Sequence, residues 1–376
     1  MKRRIVCFIL IVLAILLLMP DMPAKAETES AKAPMIVRVR TDGAVVFVVC
    51  DTPAEAYCIT TKPVIPPADH TDWRPMHGLT FSAFKSDGTY YVRVRGGNGA
   101  VSDPKRIVVR SDFRYVLEAE GQGHLMQPIG EFLEANGDSI EAFNERIAES
   151  AIRGGLYTRA GVANVSMRFM SDMAAHDMTL SYQPRGDFSL EENWGVSPSW
   201  GTKMQREEKD ACGVYRHYGM NCGTILIWAY KQAGLNIGKA GGRRGIYDSG
   251  MRHYKDDNKK KLNNGDTCDF IATKTGHTMM ILDRVDTDED GLSDSYLVLE
   301  MESPYLKLKL RSLYSVRLCT LYDMSAVFDD TGLFRQYTRD YTGSYLIKKR
   351  LFPEYYGFVP DPWDEEPEEE TTPVEQ

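Results

Sequence analysis

Between residues 35 and 110 apolar and polar positions alternate with a period of two. The runs MIVRVRT, AVVFVVC, EAYCITT, TFSAFK, TYYVRVRG and KRIVVR are rich in Val, Ile, Tyr and Thr. Turn pairs such as Asp42-Gly43 and Asp87-Gly88 separate them. Short alternating runs at this spacing predict a small β-sandwich. In TYYVRVRG, Tyr90, Val92 and Val94 share one face, and Tyr91, Arg93 and Arg95 the other. Cys50 and Cys58 fall on runs that read as neighbouring strands, where they could pair. His70, Trp73 and His77 read as structural or surface residues of a long loop.

Over 126–176 the period becomes helical. Pro128 predicts the start of a short helix with Ile129, Phe132 and Leu133 on one face, closed by Asn136-Gly137. A second helix is expected from Asp138-Ser139, with Ile140, Phe143 and Ile147 inward and Gly154-Gly155 as its stop. Thr158 caps a third, whose buried face carries Val162, Val165, Phe169 and Met173. His176 at its end reads as a surface histidine. Residues 178–217 are loop-rich and contain Trp194 and Trp200. The helix that follows, around ILIWA at 225–229, is apolar nearly all round and belongs in a core, with Gly234 ending it. Beyond it, GHTMMILDRV and SYLVLEMES read as apolar strands joined by the acidic hairpin DTDEDGLSD. YLKLKLRSLYSVRLC and SAVFDD complete a sheet. The expected class is α+β: a sandwich over 35–110, then a mixed domain over 120–350 with a helical lead-in at 126–176.

The ends carry different signals. MKRR, the apolar run IVCFILIVLAILLLM and Ala24-Lys25-Ala26 have the form of a secretory signal, expected to span 1–26 and to be cleaved after Ala26. The expected product is secreted and has no membrane span. Cleavage removes four basic residues and one acidic one, so the mature chain is more acidic than the −8 of the whole. Residues 361–376 hold eight acidic residues and no basic one, and are expected to be disordered. An acidic chain without a basic stripe argues against nucleic-acid binding. The six cysteines left after cleavage are too few for a disulfide scaffold.

One cysteine is placed for chemistry. Cys222 stands at the N-terminus of the apolar helix, where the helix dipole favours a thiolate and N–H groups can face a developing oxyanion. Gly223 keeps its surroundings open. His277, preceded by Gly276, starts an apolar strand and suits the role of base. Glu300 and Glu302 share one face of the next strand, and either could hold the imidazole. Glu300 is flanked by Leu299 and Met301, a place where a charge is costly unless paired. His217, five residues before Cys222, is an alternative base.

These residues resemble a known family. NCGTILIWAYKQAG resembles the cysteine helix of NlpC-type cell-wall cysteine peptidases, written D-C-S-G, an apolar run, then W-A-x-x-x-A-G. LNNGD at 262–266 resembles their L-x-P-G-D, GHTMMIL their histidine strand, and LVLEME the strand of the third polar residue. In the related CHAP amidases that residue is a glutamate, which maps to Glu300. GGLYTRAGVANVSMRFMS and LSYQPRGD resemble the upstream helix and the P-Y-x-W-G-G segment of secreted members, and WGVSPSWG the loop that follows. GTYYVRVRGGNGAVS is similar to the closing strands of bacterial immunoglobulin-like domains. The resemblance implies a papain-like domain and hydrolysis of amide bonds in peptidoglycan stem peptides at the cell wall. It implies Cys222, His277 and Glu300 as catalytic residues, and Tyr182 and Trp200 at the substrate, with no required cofactor. Asn221 and Gly223 stand where the family has Asp and Ser. A non-catalytic wall-binding protein and an amidase or acyltransferase on another substrate remain open alternatives.

A second motif lies in the acidic hairpin. Asp286, Asp288, Asp290, Gly291 and Asp294 spell D-x-D-x-D-G-x-x-D, whose first six positions match a calcium loop. Leu297 occupies the position of the bidentate glutamate. A structural Ca²⁺ and a solvated acidic hairpin are equally good readings of it.

Overall fold

The structure is a computed structural model that describes most of residues 32–113, 127–182, 219–234, 264–302 and 305–324. The expected signal segment, the acidic tail, SAVFDD, Cys212, His217, Trp194 and Trp200 lie outside the described residues. The described chain is sheet-rich α+β. Among the described residues no helix is long and apolar enough to cross a membrane.

The six alternating runs of the N-terminal part form five strands: β1 (Ile36–Asp42), β2 (Val45–Thr60), β3 (Arg74–Phe84), β4 (Gly88–Arg95) and β5 (Lys105–Val109). The second and third runs merge into one 16-residue strand, β2. Asp51-Thr52-Pro53 does not break it, because its pairing with β3 shifts register between Val49 and Ala54. A bulge of this kind is where a strand accepts proline. The first half of β2 pairs with β1 and its second half with β4, while β3 runs along the other side. The outer strands β1 and β5 approach each other. The sheet thus curls around a core that includes Ile36, Val46, Val48, Phe81, Tyr90, Val92 and Val94.

Two expectations change here, and Trp73 takes the structural one of its two readings. Cys50 and Cys58 are both free, because they lie on one strand, eight residues apart. At about 3.3 Å of rise per residue this is far beyond disulfide reach. His77 is part of β3 and not of a loop. Trp73 is buried beside Cys58, with its indole N–H donating to the Pro66 carbonyl.

The second part is built on a seven-stranded sheet. It contains β8 (Ser181–Tyr182), β9 (Gly219–Met220), β10 (Phe270–Ala272), β11 (Thr278–Val285), β12 (Ser295–Glu302), β13 (Tyr305–Ser312) and β14 (Thr320–Tyr322). Their order is β14-β10-β11-β12-β13-β8-β9. Three helices, α1 (Ile140–Gly154), α2 (Arg159–Ala175) and α3 (Thr224–Gln232), share a core with one face. Met280, Leu282, Leu297 and Leu299 supply the sheet side of that core, and Phe169, Ile225 and Trp228 the helix side. The opposite face packs Met279, Ile281, Tyr296 and Val298 against Val316 and Leu321. β11 and β12 are therefore buried on both faces and read as continuous apolar runs.

The helix signals act as expected from local chemistry. The Thr158 hydroxyl accepts from the Gly161 N–H and caps α2. Gly234 has φ +84, ends α3, and lets the Tyr157 ring approach. Pro128 departs from expectation. It lies on the two-residue strand β6 (Gln127–Pro128), which pairs in parallel with β7 (Met178–Thr179), so helix starts only after it. A proline suits such an edge as well as a helix N-terminus. Cys268 sits in a turn at φ +69 just before β10.

The two parts are joined by buried charges. Lys85 donates to Asp283 at 2.7 Å, and Ser86 donates to the same carboxylate from its N–H at 2.8 Å and its hydroxyl at 2.5 Å. Arg284 lies 3.3 Å from Asp72 and donates to the Thr71 hydroxyl at 2.7 Å. Arg74 and Arg284 both donate to the Gly265 carbonyl. A side chain at position 265 would collide with Ile281 and Tyr296. A small cavity of about 110 Å³ at this junction is lined by residues such as Arg74, Arg159, Asp266 and Asp269. Removing one partner of a buried pair leaves an uncompensated charge. Lys85→Met is expected to cost about 3 kcal/mol in urea unfolding. A loss below about 1 kcal/mol would mean that the Ser86 donors suffice for Asp283.

Candidate active site

The sheet brings three sequence-predicted residues together. β9 delivers the chain to Asn221, whose side-chain oxygen accepts from the Gly223 N–H at 2.9 Å. This turn sets Cys222 at the entry of α3. An asparagine closes it as well as an aspartate would, because only an acceptor oxygen is needed. Gly276, at φ +95, turns the chain so that His277 precedes β11. The pairing of Met279 with Glu300 places the glutamate beside the histidine. The Thr278 hydroxyl donates to the Cys222 carbonyl at 3.2 Å and ties α3 to the sheet.

His277 is the centre of the group. Its Nε2 lies 3.4 Å from a Glu300 carboxylate oxygen, and its ring interacts with the Cys222 thiol. The His277 side chain is 19% exposed and that of Glu300 is fully buried. Glu302, the other candidate, reaches Lys307 at 3.3 Å and Lys309 at 3.5 Å and stays half-exposed. The glutamate that meets the imidazole is Glu300.

The electrostatics follow from these contacts. Burial pushes the Cys222 thiol up, but hydrogen bonds from His277 and Thr278 outweigh it and bring its pKa below the ordinary value. Burial pulls the His277 imidazole down, and its bonds to Cys222 and Glu300 reverse this and raise it to about 9. Burial also opposes ionisation of Glu300. The His277 and Arg311 hydrogen bonds, with the charges of Arg311 and Lys309, bring it to about 2. The other described cysteines behave oppositely. Burial raises Cys50 to about 11 and Cys58 to about 12, and it raises Cys268 and Cys319 as well. Among the described cysteines Cys222 alone shifts towards thiolate. A thiolate beside an imidazolium is the charge arrangement that nucleophilic thiol chemistry requires.

Other predicted positions are less engaged. Tyr182 pairs through its backbone with Met220, two residues before Cys222. In the acidic hairpin, carboxylate oxygens of Asp286, Asp288 and Asp294 all lie within 4.8 Å of one another and could hold a cation. Asp290 of the expected set lies outside this group, and its carboxylate accepts from the Leu292 N–H. Asp286 also accepts from the Thr61 hydroxyl of the N-terminal part. The junction cavity is not lined by Cys222, His277 or Glu300.

Sequence reasoning missed Thr278, Lys309 and Arg311. Thr278 directly follows the histidine. The cations lie in the alternating run YLKLKLRS, whose polar face carries three bases in a row. No protein-family model matches the chain, and no curated protein or solved structure shows significant similarity to it.

Glu300 links the site to acid stability. Its folded pKa is depressed, so its contribution is complete above the ordinary carboxylate range of about 4.3 and is lost as pH falls towards about 2. Unfolding free energy measured against pH is expected to drop more steeply across that window in wild type than in Glu300→Gln. Parallel curves would mean that the carboxylate is not held by its cations.

Proposed function

We propose that this chain is a cysteine-type amide hydrolase with Cys222 as nucleophile, His277 as general base and acid, and Glu300 as the group that orients the imidazole. One observation carries the reading. The single described cysteine shifted towards thiolate is the one whose histidine is held in turn by a buried carboxylate. A structural cysteine needs neither neighbour.

The steps balance without a cofactor. The Cys222 thiolate attacks the amide carbonyl carbon, a C–S bond forms and the carbonyl oxygen takes the charge. The Gly223 N–H is already taken by Asn221, so the Cys222 N–H is the donor we assign to that oxyanion. The His277 imidazolium gives its proton to the amine nitrogen as the C–N bond breaks. Neutral His277 then takes a proton from water, which attacks the thioester and releases the acid and the thiolate. Glu300, negative throughout, keeps the ring aligned and supports its positive state.

The finer reading rests on the sequence resemblance over residues 125–305. It makes the substrate a peptidoglycan stem peptide, the bond one next to γ-D-glutamate, and the location the cell wall after secretion. It also makes the second part papain-like, and the separate likeness of GTYYVRVRGGNGAVS makes the N-terminal part an immunoglobulin-like unit.

Hydrolysis of purified stem-peptide fragments, followed by mass spectrometry, tests this. Cys222→Ala is expected to abolish turnover and His277→Ala to lower it by about 10²–10⁴. Turnover that survives Cys222→Ala would overturn the reading. The imidazolium must be present to protonate the leaving amine, and its pKa is raised to about 9. In wild type kcat/KM should therefore rise through the depressed thiol pKa and fall again near pH 9, as macroscopic values of the pair.

A further inference from the structure

The strand beside Glu300 points to a fourth member of the site. β13 alternates Leu306, Leu308 and Leu310 with Lys307, Lys309 and Arg311. Lys307 pairs directly with Glu300, so the three bases share the face of the carboxylate. They are not equivalent. Lys307 turns to Glu302 at 3.3 Å. Lys309 lies 3.4 Å from Glu300 and 3.5 Å from Glu302, and so divides itself between them. Arg311 alone reaches both oxygens of Glu300, at 2.7 and 2.8 Å from one guanidinium nitrogen.

Two further facts set Arg311 apart. Glu300 is fully buried, and an isolated carboxylate there would take up a proton. Arg311 also keeps its Nε buried with no hydrogen-bond partner among the described residues. An unsatisfied donor costs about 1–3 kcal/mol. A residue kept at such a cost, with its other end on a carboxylate at the candidate site, serves the site as well as stability.

We propose that Arg311 is a positioning residue which keeps Glu300 ionised and fixes its carboxylate against His277. It touches neither the thiol nor the substrate and acts only through Glu300. The inference rests on the Cys222–His277 reading above. The charged and titratable groups around His277 among the described residues are Cys222 at the α3 entry, Glu300 and Glu302 on β12, and Lys307, Lys309 and Arg311 on β13. Cys319, just before β14, completes the set through its interaction with Arg311. Without Arg311 the carboxylate protonates at higher pH. The imidazolium then loses its anion, and the thiolate its imidazolium, over the range where Cys222 begins to ionise.

The test is the pH profile of Cys222 alkylation by iodoacetamide, assigned by mass spectrometry in the full chain. Arg311→Met is expected to move the acid limb up by about one pH unit, a tenfold loss of thiolate at a fixed acidic pH. Arg311→Lys, which keeps the charge, should move it by less. Glu300→Gln should move it at least as far as Arg311→Met, which leaves Lys309 on the carboxylate, and Arg311→Met/Glu300→Gln no further than Glu300→Gln alone. A limb unmoved in Arg311→Met overturns the proposal, and so does any extra shift in the double variant. If Arg311→Met does not fold, Arg311→Gln and its double with Glu300→Gln are read in its place by the same rule. Failure of the underlying pair looks different. The wild-type limb would sit at the ordinary thiol value and not respond to His277→Ala, and the role of Arg311 would fall with it.

Discussion

A carboxylate at the centre of a two-sided apolar sheet is the constraint around which the second half of this protein is arranged. Glu300 stands between Leu299 and Met301 on a strand buried on both faces. An unpaired charge there would cost several kcal/mol. Three side chains meet that demand: His277 just before β11, and Lys309 and Arg311 on β13. The same contacts that make Glu300 tolerable also draw the imidazole to it, and the imidazole draws the thiol. Stability and reactivity are therefore not separate properties of this sheet.

Much of this was legible in the chain. Cys222 at the head of an apolar helix, His277 at the start of a strand and the pair Glu300 and Glu302 on the next stand out from the local pattern, whereas the choice of Glu300 needed the family resemblance and then the contact with His277. The caps at Thr158 and Gly234 follow from backbone chemistry within a few residues. What escaped depends on partners distant in sequence. The continuity of β2 through Pro53 depends on a bulge against β3. The strand at Pro128 exists only because Met178–Thr179 lies beside it. Arg311 reads as one more base on a polar face until the register of β12 with β13 is known. Asp290 fits a metal loop by spacing, yet its carboxylate lies outside the group formed by Asp286, Asp288 and Asp294.

The N-terminal sheet is fixed to the back of this arrangement. Lys85 and Ser86 grip Asp283, and Asp72 meets Arg284, near the end of the strand that His277 opens. The Thr61 hydroxyl and the Lys62 ammonium reach the acidic hairpin between β11 and β12. The hairpin that sets the spacing of His277 and Glu300 is thus held from outside as well as by its own hydrogen bonds.

That junction bears on how such a chain can be built and rebuilt. Its cations and carboxylates come from both sides of the boundary, and each is buried by the other half. Neither half carries a finished surface there. A recombination event that exchanged one half for a foreign domain would leave Asp283, Arg284 and the Gly265 carbonyl facing whatever arrived. Exchange of either half alone would therefore leave buried charges on the other without partners.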